Sequence, residues 1–227
     1  MCESIAKVRR WAQRISNKHL LVLDESHLHV GESPKHTRVA PGEKQFIVVE
    51  ENSAYSERYD IIVVLAGDCV LPPIIYGAAD RRRLGVEGIR TFMLIDYVED
   101  ILARAVSGLD RYPMYLLLDR ATCHPTEQLL EAFRSQGCEE LVEVRRYPPK
   151  AAKRISPLDN SFFHEWKDKC RAQFPITKRS IKSVMVKALF DIPPQHIRAY
   201  YRKCGYTGAR SPYYDCPEPQ QHLHPFS

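Results

Sequence analysis

Short apolar runs recur along the chain, and several end in an acid. Residues 20–23 read Leu-Leu-Val-Leu and stop at Asp24 and Glu25. Such a run is too short to bury itself as a helix and predicts an interior strand. Residues 59–66, Tyr-Asp-Ile-Ile-Val-Val-Leu-Ala, are strongly β-branched and predict a second strand. Gly67-Asp68 predicts a tight turn into a third strand over 69–76, which Pro72 and Pro73 make irregular or place at an edge. Residues 114–118, Met-Tyr-Leu-Leu-Leu, repeat the first pattern and stop at Asp119. Residues 141–144 predict one more strand, and 46–50 a brief one.

Helical spacing marks other segments. Ile5, Val8, Trp11 and Ile15 share one side of a helix within 4–19. Residues 91–106 carry a longer repeat through Leu94, Ile95, Val98, Ile101, Leu102 and Ala105. Pro125 opens a helix to about 136, and Gly137 stops it. Residues 156–174, 181–189 and 195–202 predict further helices, with Cys204 packing beside a Gly205 cap. The polar residues 26–45, with Gly31, Pro34, Pro41 and Gly42, read as a connection or loose hairpin, and Arg81-Arg82-Arg83-Leu84-Gly85 as a basic loop. A meander followed by α/β alternation implies a mixed sheet covered by helices.

The 227 residues fit one large domain or at most two small ones. With 44% apolar and 27% charged residues, the chain is expected to fold as a globular protein. The most apolar stretch, 61–79, is broken by Asp68, Pro72 and Pro73, which excludes a membrane span. No apolar h-region follows the first residues, so no secretory signal is expected. Seven widely spaced cysteines with no CxxC argue against a disulfide framework and a zinc finger, and for a reducing compartment. His27 and His29 have no matching Cys/His pair, and no G-x-S-x-G elbow exists for a hydrolase triad.

Charge adds more. The net charge of +5 is unremarkable, but residues 145–187 hold 12 Lys and Arg against three acids. That segment is +9 and the remainder is −4. The cluster Arg145, Arg146, Lys150, Lys153 and Arg154 is expected in a loop, where a solvated helix face does not account for it. A basic segment beside an acidic site suits a phosphate-backbone substrate.

The acids at strand ends are the candidate chemistry. In open α/β sheets, ligands bind at the carboxyl ends of strands. Asp24 and Asp119, brought together there, would repel each other unless a cation sat between them. Mg²⁺ suits such oxygen ligands. Each Asp has an alternative role as a turn residue. A third acid, Asp159, follows Ser156-Pro157-Leu158, where it could serve as part of a capping box. At roughly 100° per residue it falls within the apolar arc of Leu158, Phe162, Phe163, Trp166 and Cys170. An acid facing a core is costly unless paired or metal-bound, which favours Asp159 as a ligand, with Glu165 as the substitute. Glu25 would point to the opposite face of its strand and is not expected to be a ligand. His124 reads equally as a phosphate contact and as a hydrogen-bonded structural histidine.

These segments resemble the DDE transposases of the Tc1/mariner and IS630 superfamily. Leu21-Val22-Leu23-Asp24-Glu25-Ser26 is similar to the first acidic motif. Leu116-Leu117-Leu118-Asp119-Arg120-Ala121-Thr122-Cys123-His124 is similar to the second. Tyr147-Pro148-Pro149, followed by Ser156-Pro157-Leu158-Asp159-Asn160-Ser161-Phe162-Phe163, is similar to the third. Arg38-Val39-Ala40-Pro41-Gly42-Glu43 resembles the connection between them. The 39 residues between Asp119 and Asp159 resemble the mariner-like branch whose third acid is Asp.

The resemblance covers about residues 20–205 and implies an α/β, RNase H-like fold with a mixed five-stranded sheet flanked by helices. It divides the chain into an N-terminal helix over 1–19, read as a linker remnant, a catalytic domain over 20–205, and an irregular tail over 206–227. It implies a metal-dependent DNA endonuclease and strand transferase, with Asp24, Asp119 and Asp159 as catalytic residues holding two Mg²⁺ or Mn²⁺ ions. Arg120, His124, Arg145, Arg146, Lys150, Lys153 and Arg154 would contact DNA, largely without sequence preference. Homodimerisation is left open, no membrane partner is expected, and the location would be nuclear in a eukaryote and otherwise cytoplasmic. Arg120 stands where the family has Asn, and the Asp-Leu-Asn-Pro run is absent. With its first acid at position 24, the chain is expected to lack the family's helix-turn-helix modules in front of that acid. Arg120 and the expected lack of the front modules motivate the alternative of a catalytically inactive, transposase-derived DNA-binding or interaction domain.

Overall fold

The computed structural model describes residues 2–32 and 56–207. The expected strand at 46–50, the family-like connection at 38–43 and the tail beyond 207 lie outside the described residues.

A mixed sheet runs through the middle of the molecule. Its strands are β1 (Leu20–His29), β2 (Arg58–Ala66), β3 (Cys69–Val70), β4 (Ile74–Tyr76), β5 (Met114–Leu118) and β6 (Leu141–Arg146). The order is β3-β2-β1-β5-β6, with β4 also paired to β2. The sheet has six strands where five were expected. The expected third strand is interrupted at Leu71-Pro72-Pro73 and pairs with β2 as two separate pieces. Proline cannot donate to a ladder, so the break falls there.

β1 is also longer than its apolar run. It continues through Ser26, His27, Leu28 and His29, which the composition had assigned to a connection. Its register against β2 carries the pairing on, from Leu21↔Ala66 to His29↔Arg58. The hydrogen-bond ladder to the strongly β-branched β2 outweighs the weak local preference of these polar residues.

Helices cover both faces. On one side Leu21, Leu23, Ile62, Val64, Leu116 and Leu118 pack against Leu94, Val98, Leu102, Leu129 and Phe133. These come from α3 (Thr91–Tyr97), the π-helical turn Val98–Leu102 that joins it to α4 (Ala103–Ser107), and α5 (Thr126–Ser135). On the other side Leu20, Val22, Ile61, Val63 and Leu117 pack against Leu158, Phe162, Trp166, Met185 and Tyr201. Those residues come from the π-helical turn Leu158–Phe162, α7 (Phe163–Arg171), α8 (Ile181–Phe190) and α9 (Pro194–Lys203). Burial on both faces explains why the strands read as continuous apolar runs. Trp166 is fully buried, and its Nε1–H donates to the Met185 carbonyl at 3.0 Å, so the indole keeps its polar partner.

α1 (Cys2–Gln13) docks its apolar side through Ile5 and Ala12, and Arg9 Nε donates to the Cys204 carbonyl at 2.9 Å. Gly205 ends α9 at a φ of 89°, as a glycine cap requires, and Cys204 is buried. The segment expected as a basic loop is helical instead, α2 (Ala78–Leu84). Arg81 turns inward and pairs with buried Asp60 at 2.7 Å, so this arginine is a structural ion.

Candidate active site

The two parallel neighbours β1 and β5 set the first two acids side by side. Their register is Leu21↔Leu116 and Val22↔Leu117. Two residues further along each strand's path come Asp24 and Asp119, level with each other at the same end of the sheet. Val22 and Leu117 face the same helical layer, so strand alternation turns both carboxyls toward the side on which Leu158 and Phe162 lie.

The third acid comes from that layer. A short helix α6 (Ala152–Ile155) and Ser156 lead into the π-helical turn that carries Asp159. Ser156 Oγ accepts from the Asp159 backbone N–H at 3.3 Å. The Ser156 N–H donates to the Ala152 carbonyl at 2.7 Å, so the Asp159 carboxyl is not used as the return half of a capping box. It lies within hydrogen-bonding reach of Asp24 instead. Asp159 is solvent-exposed, although the helical phase had placed it within the apolar arc. The wider π turn shifts the phase there, and Leu158 and Phe162 take the core positions on either side.

Asp24 is 8% exposed. Burial, then the charges of Asp159, Glu25 and Asp119, push its pKa well above the usual carboxylate value. Asp159 reaches solvent with part of its surface, but partial desolvation of its carboxyl, then Asp119, also raises its pKa, against the pull of Lys153 and its hydrogen bond with Asp24. The Asp24 and Asp159 carboxyls are thus both harder to ionise than a free carboxylate. Asp119 is the opposite case. His124 holds it below the usual value, with the Ala121 N–H and Arg146 helping against partial burial.

His124 is fully buried between two acids. Its Nδ1 lies 2.6 Å from Asp119 Oδ1, off the line of an ideal hydrogen bond, and its Nε2 lies 2.8 Å from Glu25 Oε1. Burial opposes the charged ring, but Asp119, Cys123 and Glu25 outweigh it and push the pKa up to about 12. Glu25 does point to the opposite face from Asp24, as alternation requires, and this is how it reaches His124. The sequence reading missed that contact. Its only signal was the same alternation, which sends Glu25 toward the segment preceding α5.

A cavity of about 580 Å³ opens beside the acids, lined by Asp119, Arg120, Tyr147, Lys150, Lys153 and Asp159 among others. Arg120 is exposed and tied by its Nε to the Tyr147 carbonyl at 3.0 Å, and Lys150 and Lys153 are exposed at the same wall. Arg146 donates to the His124 carbonyl behind Asp119. Arg145 and Arg154 are not brought to the carboxylates. Arg145 lies 4.3 Å over the Trp11 ring and pairs with Glu143, while Arg154 lines a separate hollow against α1. Glu165 is held by His196, Lys169 and Tyr200 and belongs to another cluster, so it does not substitute for Asp159. Three carboxylates, two with strained ionisation, form a hard-oxygen donor set suited to Mg²⁺ or Mn²⁺.

No protein-family model and no curated protein matches the sequence. Solved structures do. The Mos1 transposase paired-end complex with the left transposon end aligns over 89% of this chain, at a TM-score of 0.66 and 14% identity. The catalytic domain of Mos1 mariner transposase aligns over the same share, at a TM-score of 0.61 and 12% identity. The fold is that of the mariner transposase catalytic domain. The match covers 85% of the isolated Mos1 catalytic domain but only 57% of the Mos1 chain in the paired-end complex. A further Mos1 paired-end complex, with Mn, aligns at a TM-score of 0.65 and 13% identity. The RNase H-like α/β architecture expected from the sequence is therefore the one observed. Among the described residues no helix is long and apolar enough to cross a membrane.

Proposed function

We propose that this chain is the catalytic domain of a cut-and-paste DNA transposase of the mariner-like DDD type, acting as a metal-dependent endonuclease and strand transferase. The observation that carries the reading is the meeting of Asp24, Asp119 and Asp159 at one end of the sheet, from three distant parts of the sequence. The Mos1 structures it resembles include a paired-end complex with the left transposon end and paired-end complexes with Mn and with Mg. Asp24, Asp119 and Asp159 would hold two such ions. When bound, the ions supply activation of a water or DNA 3′-hydroxyl and stabilisation of the leaving oxygen in attack at phosphorus.

The chain's own residues do the rest. His124 fixes the Asp119 carboxylate and keeps it ionised, ready to accept a cation. Ser156 fixes the start of the turn that presents Asp159. Arg120, Lys150 and Lys153 line the open cavity and would hold the DNA backbone by charge, with little base preference. Arg120, tied back to the Tyr147 carbonyl, leaves the three acids grouped and is placed to clamp a phosphate. DNA is the partner this surface suits.

Nicking of supercoiled plasmid in Mn²⁺ tests the proposal. Cleavage by the wild type, lost in Asp119→Ala, is expected, together with joining of a supplied 3′-hydroxyl end. A folded wild type that binds DNA without cutting it would overturn the enzymatic reading and leave the inactive DNA-binding domain. Cleavage without joining would point to a nuclease unrelated to transposition.

A further inference from the structure

Beside the carboxylate triad, on the opposite face of β1, lies a second cluster of different chemistry. Glu25, Cys123 and His124 each bring one potential ligand atom within 4.8 Å of the others. We infer that these three side chains form a binding site for a soft or borderline divalent cation, Zn²⁺ being the natural probe.

The donor set is a carboxylate, a thiol and an imidazole, the combination that Zn²⁺ takes and Mg²⁺ does not. The imidazole is already oriented as metal-binding histidines are. One ring nitrogen, Nδ1, is held against the Asp119 carboxylate, and the other, Nε2, faces Glu25. Tetrahedral zinc, with Zn–N and Zn–O bonds of about 2.0–2.1 Å, separates its N and O ligands by roughly 3.3 Å. The 2.8 Å between Nε2 and Oε1 would open by about half an ångström to admit it. Cys123 and Glu25 are only partly buried, so an ion has a way in, while His124 is fully buried and fixed. Three protein ligands leave the fourth position for water. The fold thus sets a soft site next to a hard one, with Asp119 touching both. This inference stands whether or not the chain cuts DNA.

Titration of the metal-free protein with Co²⁺, followed by optical absorption, reads the site directly. One equivalent is expected to give a thiolate-to-cobalt charge-transfer band, which one equivalent of Zn²⁺ erases. The band should vanish in Cys123→Ser and persist in Asp24→Asn and Asp159→Asn. Glu25→Gln should weaken binding by about tenfold or more, at least the loss that removing an outer-shell partner brings. Zn²⁺ should also protect Cys123 of the unmutated chain from alkylation, mapped by mass spectrometry. No thiolate band in the wild type, its survival in Cys123→Ser, its loss in Asp24→Asn, or unprotected alkylation of Cys123 would each overturn the assignment.

Discussion

His124 Nδ1 sits 2.6 Å from Asp119 Oδ1, and this contact joins a buried cation to an acid at the mouth of the site. The ring's folded pKa of about 12 stands far above the unfolded value of about 6.5. A raised pKa contributes stability fully below the unfolded value, and that stability is lost as pH rises toward the folded one. Wild-type stability should therefore decline between pH 7 and 9 in urea titrations. In His124→Gln the decline should flatten. Equal slopes in the two proteins would show that the ring is not charged in the folded state.

Removing the ring should also loosen Asp119. His124→Ala leaves Glu25 half-buried without its imidazole partner, a loss of about 1–3 kcal/mol. Mn²⁺ affinity of the triad should fall by about tenfold or more, as when an outer-shell partner of a metal ligand is lost. Isothermal titration with Mn²⁺ checks this, with a thermal melt to establish that the variant folds.

The Asp24 and Asp159 pair should make the metal-free chain less stable than it could be. The Asp24 carboxyl has a raised pKa, so stability falls as pH rises from about 3.9, its unfolded value, through the folded value. Asp24→Asn keeps an acceptor for the Glu25 N–H and removes the charge. It should raise stability at neutral pH in EDTA by about 1 kcal/mol, while abolishing any Mn²⁺-dependent nicking. Added Mn²⁺ should then stabilise the wild type more than the variant.

Acid should act on a different pair. Burial opposes ionisation of Glu32, but Arg171 and the His29 N–H hold its carboxyl below the usual value. A depressed carboxyl pKa stabilises above the unfolded value and the contribution disappears as pH falls through the folded one. Wild type should lose stability below about pH 4.3, the unfolded Glu value, and Glu32→Gln should lose less there while being weaker by about 2 kcal/mol at pH 7. Denaturation midpoints from pH 3 to 7 measure both.

The basic residues should divide into two groups. Lys150→Ala and Lys153→Ala should each lower the slope of log affinity for DNA against log salt by about 1, leaving sequence preference unchanged. Arg145→Ala should leave that slope alone. It should instead weaken docking of α1 through the lost Trp11 contact, by about 0.5–1 kcal/mol. Fluorescence anisotropy across a salt series, with melting curves alongside, separates the groups.

The sequence by itself determined the strands and most helices, because runs such as 59–66 and the spacing of Leu94, Val98 and Leu102 encode burial locally. It also singled out Asp24, Asp119 and Asp159. Tertiary structure decided what local pattern does not carry. The register between β1 and β5 sets Asp24 level with Asp119, and pairing with β2 extends β1 through its polar residues. A π turn moved Asp159 out of the apolar arc, since a single wide turn changes the helical phase that the pattern assumes. In sequence Arg81 reads as part of a basic loop and Arg145 as a DNA contact, yet the fold sets them against Asp60 and Trp11. The link from Glu25 to His124 spans 99 residues, and the pairing of β1 with β5 brings its two ends to the same end of the sheet.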